Sequence, residues 1–180
     1  MSALSLNEAA LIESSTESVK VYLSAGSNVE PEKYLRMACQ ELSADFGDLE
    51  LSSVYRNPAV GFEGDDFLNM VIGFETEHEP EKVVEKLDHL HVSAGRVREG
   101  NPFCSRTLDL DVLLYGQLVS KKREFRVPRE DIEKYGFVLG PLAEVAPELR
   151  HPVNGRTMDS IWGEFDREQH PLVKIDVELN

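Results

Sequence analysis

Apolar and polar positions follow two periods along this 180-residue chain, and the switches between them mark out its elements. Residues 19–25 (VKVYLSA) read as a strand running into the turn cluster Gly26-Ser27-Asn28. From Pro31 the apolar residues Leu35, Ala38, Cys39, Leu42 and Phe46 recur every three or four positions. That spacing predicts an amphipathic helix, with Pro31 in its first turn and Gly47 at its end. Residues 49–55 alternate loosely as a strand. Asn57-Pro58 and residues 61–64 then make a loop too long for a tight hairpin. Phe67–Thr76 (FLNMVIGFET) is the strongest strand by length and composition. Glu79-Pro80 opens a second helix with the stripe Val83, Val84, Leu87, Leu90 and Ala94, closing at Gly95. Residues 108–115 (LDLDVLLY) form a further strand.

The order strand, helix, strand, strand, helix, strand contains two βαβ units. It predicts an α+β, ferredoxin-like βαββαβ sandwich with one helix-covered face. Extra C-terminal short strands and helices follow. Leu118-Val119 and residues 125–127 form a small hairpin, residues 128–135 and 137–145 two short helical elements, and Trp162 sits in a last helix-like turn. Residues 1–19 read as a loosely ordered N-terminal extension, and residues 20–180 as a single domain with no repeat or linker.

Composition narrows the class. The chain is 41% hydrophobic, too apolar for disorder, and no stretch approaches the roughly 18 apolar residues of a membrane span. The first twenty residues lack the basic and apolar regions of a signal peptide. Two cysteines, Cys39 and Cys104, are too few for a disulfide scaffold or a zinc cluster. A cytoplasmic monomer is the expectation. The net charge of −14 argues against nucleic-acid binding and anionic membranes. That charge is unevenly spread. Between Arg96 and Arg129 eight basic residues (Arg96, Arg98, Arg106, Lys121, Lys122, Arg123, Arg126 and Arg129) face four acidic ones, so this segment is +4 and the rest −18. A cationic segment on an acidic protein points to one localised polyanionic ligand.

Within that segment, Asp109-Leu110-Asp111 puts two carboxylates on the same face of a strand. Side by side they repel unless a cation lies between them, and Mg²⁺ takes one or two carboxylates plus substrate phosphates. Arg106 just before, with Arg96 and Arg98 upstream, strengthens a magnesium–phosphate reading. An aromatic and amide set, Asn57, Phe67, Asn69, Phe103 and Phe137, adds a third signal. Asn69 inside an apolar strand needs hydrogen-bond partners, and a flat heterocycle with donors and acceptors on its edge supplies them.

The segments VYLSAGSN (21–28), SVYRNP (53–58), FLN (67–69), GRVR (95–98), RTLDLDVL (106–113), VP (127–128) and GFVLGPLAEVAPEL (136–149) carry a resemblance. In order and spacing the chain is similar to the 6-hydroxymethyl-7,8-dihydropterin pyrophosphokinase family, over about residues 20–165. The resemblance implies an ATP-dependent pyrophosphokinase of folate biosynthesis, with two Mg²⁺ ions on Asp109 and Asp111. It implies a pterin slot from Asn57, Pro58, Phe67, Asn69, Phe103 and Phe137, and catalytic triphosphate contacts from Arg96, Arg98 and Arg106. Arg126 and Arg129 join Arg98 and Arg106 as expected ATP contacts. Departures from the family pattern cluster at His91, Pro102, Phe103, Cys104, Glu124, Arg129 and Tyr135. They thin the nucleotide contacts and leave the metal and pterin sets intact. A second reading follows from them: a diverged paralogue that binds a pterin or nucleotide with little turnover. Lys121, Lys122, Arg123 and Arg126 are the nearby cations available to compensate.

Overall fold

The computed structural model describes residues 17–95 and 106–179. Its spine is strand β4 (Phe67–Thr76), the longest apolar β run in the sequence, which pairs antiparallel with β1 (Val19–Ser27) from Val19↔Thr76 to Ser27↔Leu68. On the other side of β1 lies β5 (Asp109–Tyr115), also antiparallel. Beyond β4 lie β2 (Leu49–Leu51) and β3 (Val54–Asn57). The sheet order is thus the fourth, first, third and second strands of βαββαβ, which is the ferredoxin-like arrangement.

Helices α1 (Pro31–Phe46) and α2 (Pro80–Ser93) are the two crossovers and cover the same sheet face. Their stripes Leu35, Ala38, Leu42 and Val83, Leu87, Leu90 meet Val21, Leu23, Ala25, Leu68, Met70, Ile72, Phe74, Leu110 and Val112. These side chains are almost wholly buried, each stabilising the fold by roughly 1.5–3 kcal/mol when it is a large aliphatic.

The opposite face is covered as well, where the sequence pattern predicts one covered face. Helices α3 (Asp131–Lys134), α4 (Gly136–Val145) and α5 (Met158–Glu164) build a second core there. Val138, Leu139, Leu142 and Ala143 pack with Tyr22, Val71, Leu113 and Leu114 from the sheet and with Met158 and Ile161 from α5. The reason is the composition of α4: GFVLGPLAEV is apolar nearly all round, so it needs the sheet beneath it and α5 outside. Gly140 permits that closeness, since a Cβ there would stand 3.1 Å from the Trp162 ring.

Local differences have local causes. The single strand expected over residues 49–55 is two, because Ser53 leaves the ladder and Ser52 keeps its N–H bond to the Val71 carbonyl at 3.0 Å while its side chain, not its carbonyl, takes the return bond. Ser52 Oγ accepts from the Val71 N–H at 2.9 Å, and the Ser53 N–H donates to Glu144 Oε2 at 3.2 Å. The hairpin pairs β6 (Ser120–Lys122) with β7 (Phe125–Val127) rather than using Leu118-Val119, which are exposed after a turn closed by Leu118 N–H to Tyr115 O. The helix expected over residues 128–135 is only the single turn α3. Strand β1 runs on through Gly26 and Ser27, which the sequence assigns to a turn. An unforeseen short strand, β8 (Val173–Ile175), pairs with the outer edge of β3. Among the described residues no helix is long and apolar enough to cross a membrane.

Candidate functional site

Register brings two of the sequence-predicted residues, Asp109 and Asn69, into one row, with Asp111, Asn57 and Phe67 in the rows beside it. Gly26 is opposite Asp109 on one side and Asn69 on the other, and Asn69 is opposite Tyr55. Directly opposed residues share a face, so Asp109, Gly26, Asn69 and Tyr55 line up across four strands on the α4 side of the sheet. Asp111 and Ser24 lie in the next row, and Asn57 is paired with Phe67 in the row on the other side. At about 4.8 Å per strand the Asp109 and Asn69 backbones are about 10 Å apart, with a glycine between them.

Each aspartate faces a guanidinium. Arg106 Nη1 donates to Asp109 Oδ2 in a short ion pair, and Arg129 Nη2 lies 3.4 Å from Asp111 Oδ2. Arg129 also holds Asp131 through Nε and Nη2 at 3.0 and 2.7 Å. Its backbone N–H is bonded to the Leu113 carbonyl, two residues past Asp111, which places its side chain there. Burial opposes the charge of Arg129, but Asp111 and Asp131 outweigh it and raise its pKa above the ordinary value. The Asp109 and Asp111 side chains are 18% and 36% exposed, so both are reachable from outside. Two hard carboxylate donors on one strand face, both reachable from outside, are of the donor type that Mg²⁺ takes.

The amide half is a closed chain. Asn69 Nδ2 donates to Asn57 Oδ1 at 2.6 Å, and Asn57 Nδ2 donates to the Pro58 carbonyl at 2.9 Å. Both asparagines are buried, while Pro58 is exposed. Phe67 is half-buried beside them and meets Phe62 edge-on at 6.1 Å between centroids. Phe137, at the start of α4, stacks on Tyr135 at 5.1 Å. Arg126 lies on the exposed side of β7 opposite Lys121, with Glu130 3.7 Å from its Nη1. Arg96, Arg98, Pro102, Phe103 and Cys104 lie outside the described residues.

Four residues escape the sequence reading. Gly26 is part of the site floor: a Cβ there would stand 2.4 Å from Asn69 Oδ1. Asn28 ties the site's loops together, with Oδ1 accepting from the Arg106 N–H at 2.7 Å and Nδ2 donating to the Asp65 carbonyl at 3.2 Å. Glu144 of α4 accepts from Ser53 Oγ at 2.6 Å and from the Tyr55 hydroxyl at 2.9 Å, and Lys174 of β8 lies 3.7 Å away. Burial raises the Glu144 pKa, but the bonds from Ser53 and Tyr55 prevail and lower it. Burial and the same bond push Tyr55 up to about 12. Phe62 is the fourth, beside Phe67. The available signals were a glycine two residues before an asparagine, and a lone acid in the apolar run of α4.

Comparisons with known proteins bear on the family and the fold. Residues 22–147 match the model of the 7,8-dihydro-6-hydroxymethylpterin-pyrophosphokinase (HPPK) family. The chain is 35% identical over 136 residues to the 2-amino-4-hydroxy-6-hydroxymethyldihydropteridine pyrophosphokinase of Aquifex aeolicus, covering 74% of this chain and 84% of the relative. It is 30% identical over 162 residues to the protein of the same name from Haemophilus influenzae, covering 88% and 99%. Among solved structures, a Plasmodium falciparum HPPK-DHPS triple mutant superimposes with a TM-score of 0.66 at 10% identity, which bears on the fold alone. That match covers 82% of this chain and 43% of the solved one, so the chain spans less than half of that protein. A family match across most of the domain, with relatives of this identity along nearly their whole length, has one meaning: the chain belongs to the 7,8-dihydro-6-hydroxymethylpterin-pyrophosphokinase family.

Proposed function

We propose that this enzyme transfers pyrophosphate from ATP to 6-hydroxymethyl-7,8-dihydropterin in folate biosynthesis, with Mg²⁺ held by Asp109 and Asp111. The supporting observation is the row Asp109–Gly26–Asn69, in which carboxylates and a buried amide pair share one sheet face across a glycine floor. Asn57 and Asn69 read the edge of the heterocycle, while Phe67 and Phe137 with the exposed Pro58 bound its faces. Arg106, with Arg96, Arg98, Arg126 and Arg129, neutralises triphosphate charge. When bound, Mg²⁺ supplies charge neutralisation at the phosphate oxygens.

The pterin hydroxymethyl oxygen attacks the β-phosphorus and loses its proton to solvent. The bond from that phosphorus to the α,β-bridging oxygen breaks, and AMP leaves with the oxygen. The chain's own residues contribute position and charge, which suffice for such a transfer. The test supplies ATP, Mg²⁺ and the hydroxymethyl dihydropterin and follows AMP. AMP formed in step with pterin pyrophosphate is the expected result, and its absence at saturating substrates overturns the catalytic reading.

The paralogue reading keeps two specific supports. Arg129, one of the departures, is engaged by Asp111 and Asp131, and Tyr135, another, is stacked on Phe137. On that reading calorimetry finds pterin bound in the presence of an ATP analogue and Mg²⁺, while AMP release stays at background.

A further inference from the structure

His91 sits in the last turn of α2, 6% exposed, on the core side of the helix. Its Nε2 accepts a hydrogen bond from the backbone N–H of Leu110 at 2.9 Å. Leu110 is the residue between Asp109 and Asp111, and among the described residues β5 is an edge strand with β1 on one side. In an antiparallel strand alternate residues turn their N–H groups away from the neighbouring strand. Leu110 is such a residue, and His91 takes the bond that a further strand would otherwise take.

We infer that His91 is a positioning residue for the Asp109–Asp111 pair: a buried, uncharged acceptor that pins the backbone midway between the two carboxylates. The position calls for an acceptor, and imidazole is one that adds no charge. An apolar side chain would leave the buried Leu110 N–H without this acceptor, and a lysine would offer a second donor. A carboxylate would accept the bond but bring a third negative charge beside the aspartates. The neutral imidazole accepts at Nε2 without charge. Asp88, one turn earlier with its carboxylate 3.8 Å from Nδ1, favours the tautomer with the proton on Nδ1. Fixing Leu110 fixes the Cα atoms on either side of it, and hence the spacing of the carboxylate oxygens. Metal sites need their ligands held within about 0.5 Å.

The inference rests on the reading of Asp109 and Asp111 as metal ligands, and its test separates the two. His91→Leu keeps roughly the volume and removes the acceptor, whereas His91→Gln keeps an oxygen near the Nε2 position. In ¹H–¹⁵N spectra of the apo protein, His91→Leu is expected to speed Leu110 amide exchange at least tenfold, with Gln restoring most of the protection. Binding of Mg²⁺ alone, followed by the Asp109 and Asp111 amide shifts, is expected to need about five- to tenfold more metal in His91→Leu and to be near wild type in His91→Gln. Unchanged Leu110 exchange in His91→Leu overturns the pinning. Lost protection with unchanged Mg²⁺ response leaves His91 a purely structural acceptor and overturns the positioning role. If His91→Leu fails to fold, His91→Gln still decides: a protected Leu110 amide with tenfold weaker Mg²⁺ binding refutes the inference. A wild-type protein whose shifts ignore Mg²⁺ refutes the metal reading instead, while the exchange data still report on the bond.

Discussion

A methyl group at position 26 would meet the Asn69 side-chain oxygen at 2.4 Å, inside any real contact distance. Gly26→Ala therefore forces the Asn69 amide to turn and strains its 2.6 Å bond to Asn57. The expected outcome is a folded protein whose pterin affinity, read by fluorescence titration, falls by about 1–3 kcal/mol, the cost of leaving a buried polar group unpaired. Asn69→Ala is expected to lose a similar amount, with ATP binding unchanged. Normal pterin affinity in both variants would show that the slot lies elsewhere. At the other end of the row, Asp111→Asn removes one hard anionic donor and one partner of Arg129. Turnover at ordinary Mg²⁺ is expected to vanish, while thermal stability moves by less than about 1 kcal/mol because the pair is partly exposed. Wild-type turnover in Asp111→Asn would remove the metal assignment.

Between elements, Glu144 decides how α4 sits on the strand that carries Tyr55 and Asn57. Its carboxylate accepts from the Ser53 N–H, Ser53 Oγ and Tyr55 hydroxyl, filling the break between β2 and β3, and its pKa is lowered in the folded protein. The sign follows from linkage. A carboxyl whose folded pKa lies below its unfolded value of about 4.3 contributes stability above that pH, and the contribution is lost as pH falls through the folded pKa. Glu144→Gln should thus be destabilised relative to wild type, by about 1–3 kcal/mol, above pH ~5. The difference should shrink steadily in denaturant titrations at lower pH. A gap that stays constant down to strong acid would mean that shape rather than charge makes the joint. His91 works at the same scale, joining α2 to β5 through a single backbone N–H.

Charge acts on the whole molecule. A net −14 with a +4 segment between Arg96 and Arg129 is expected to repel anions except near that segment. Association of the ATP analogue is expected to slow by several-fold between roughly 0.05 and 0.5 M salt, as the Debye length falls from over 10 Å to a few ångströms. Pterin association, being uncharged, should change little. A salt-independent nucleotide on-rate would show that the basic segment faces away from the site.

Periodicity alone determined the four main segments of the sheet and both crossover helices, because each helix buries one clean stripe and each main strand is a short apolar run. The α1 stripe Leu35, Ala38, Cys39 and Leu42 is buried as its spacing predicts, and β4 keeps its expected bounds. The Asp-x-Asp pair and the buried Asn69 were legible for a related reason: a polar group in an apolar strand is an anomaly that burial makes costly. What lay beyond the sequence depends on partners distant along the chain. The break at Ser52-Ser53 exists because Glu144, about ninety residues on, offers acceptors that compete with the ladder. Strand β8 is three residues whose pairing follows from the free edge of β3 and has no local signal. Gly26 looks like a turn glycine until register sets it between Asp109 and Asn69, and His91 looks like one more helix-end histidine until the sheet brings Leu110 to it. Local sequence decides which face of an element is apolar. Only the tertiary structure decides which backbone groups are left needing a side chain, and those are the residues on which this site's geometry depends.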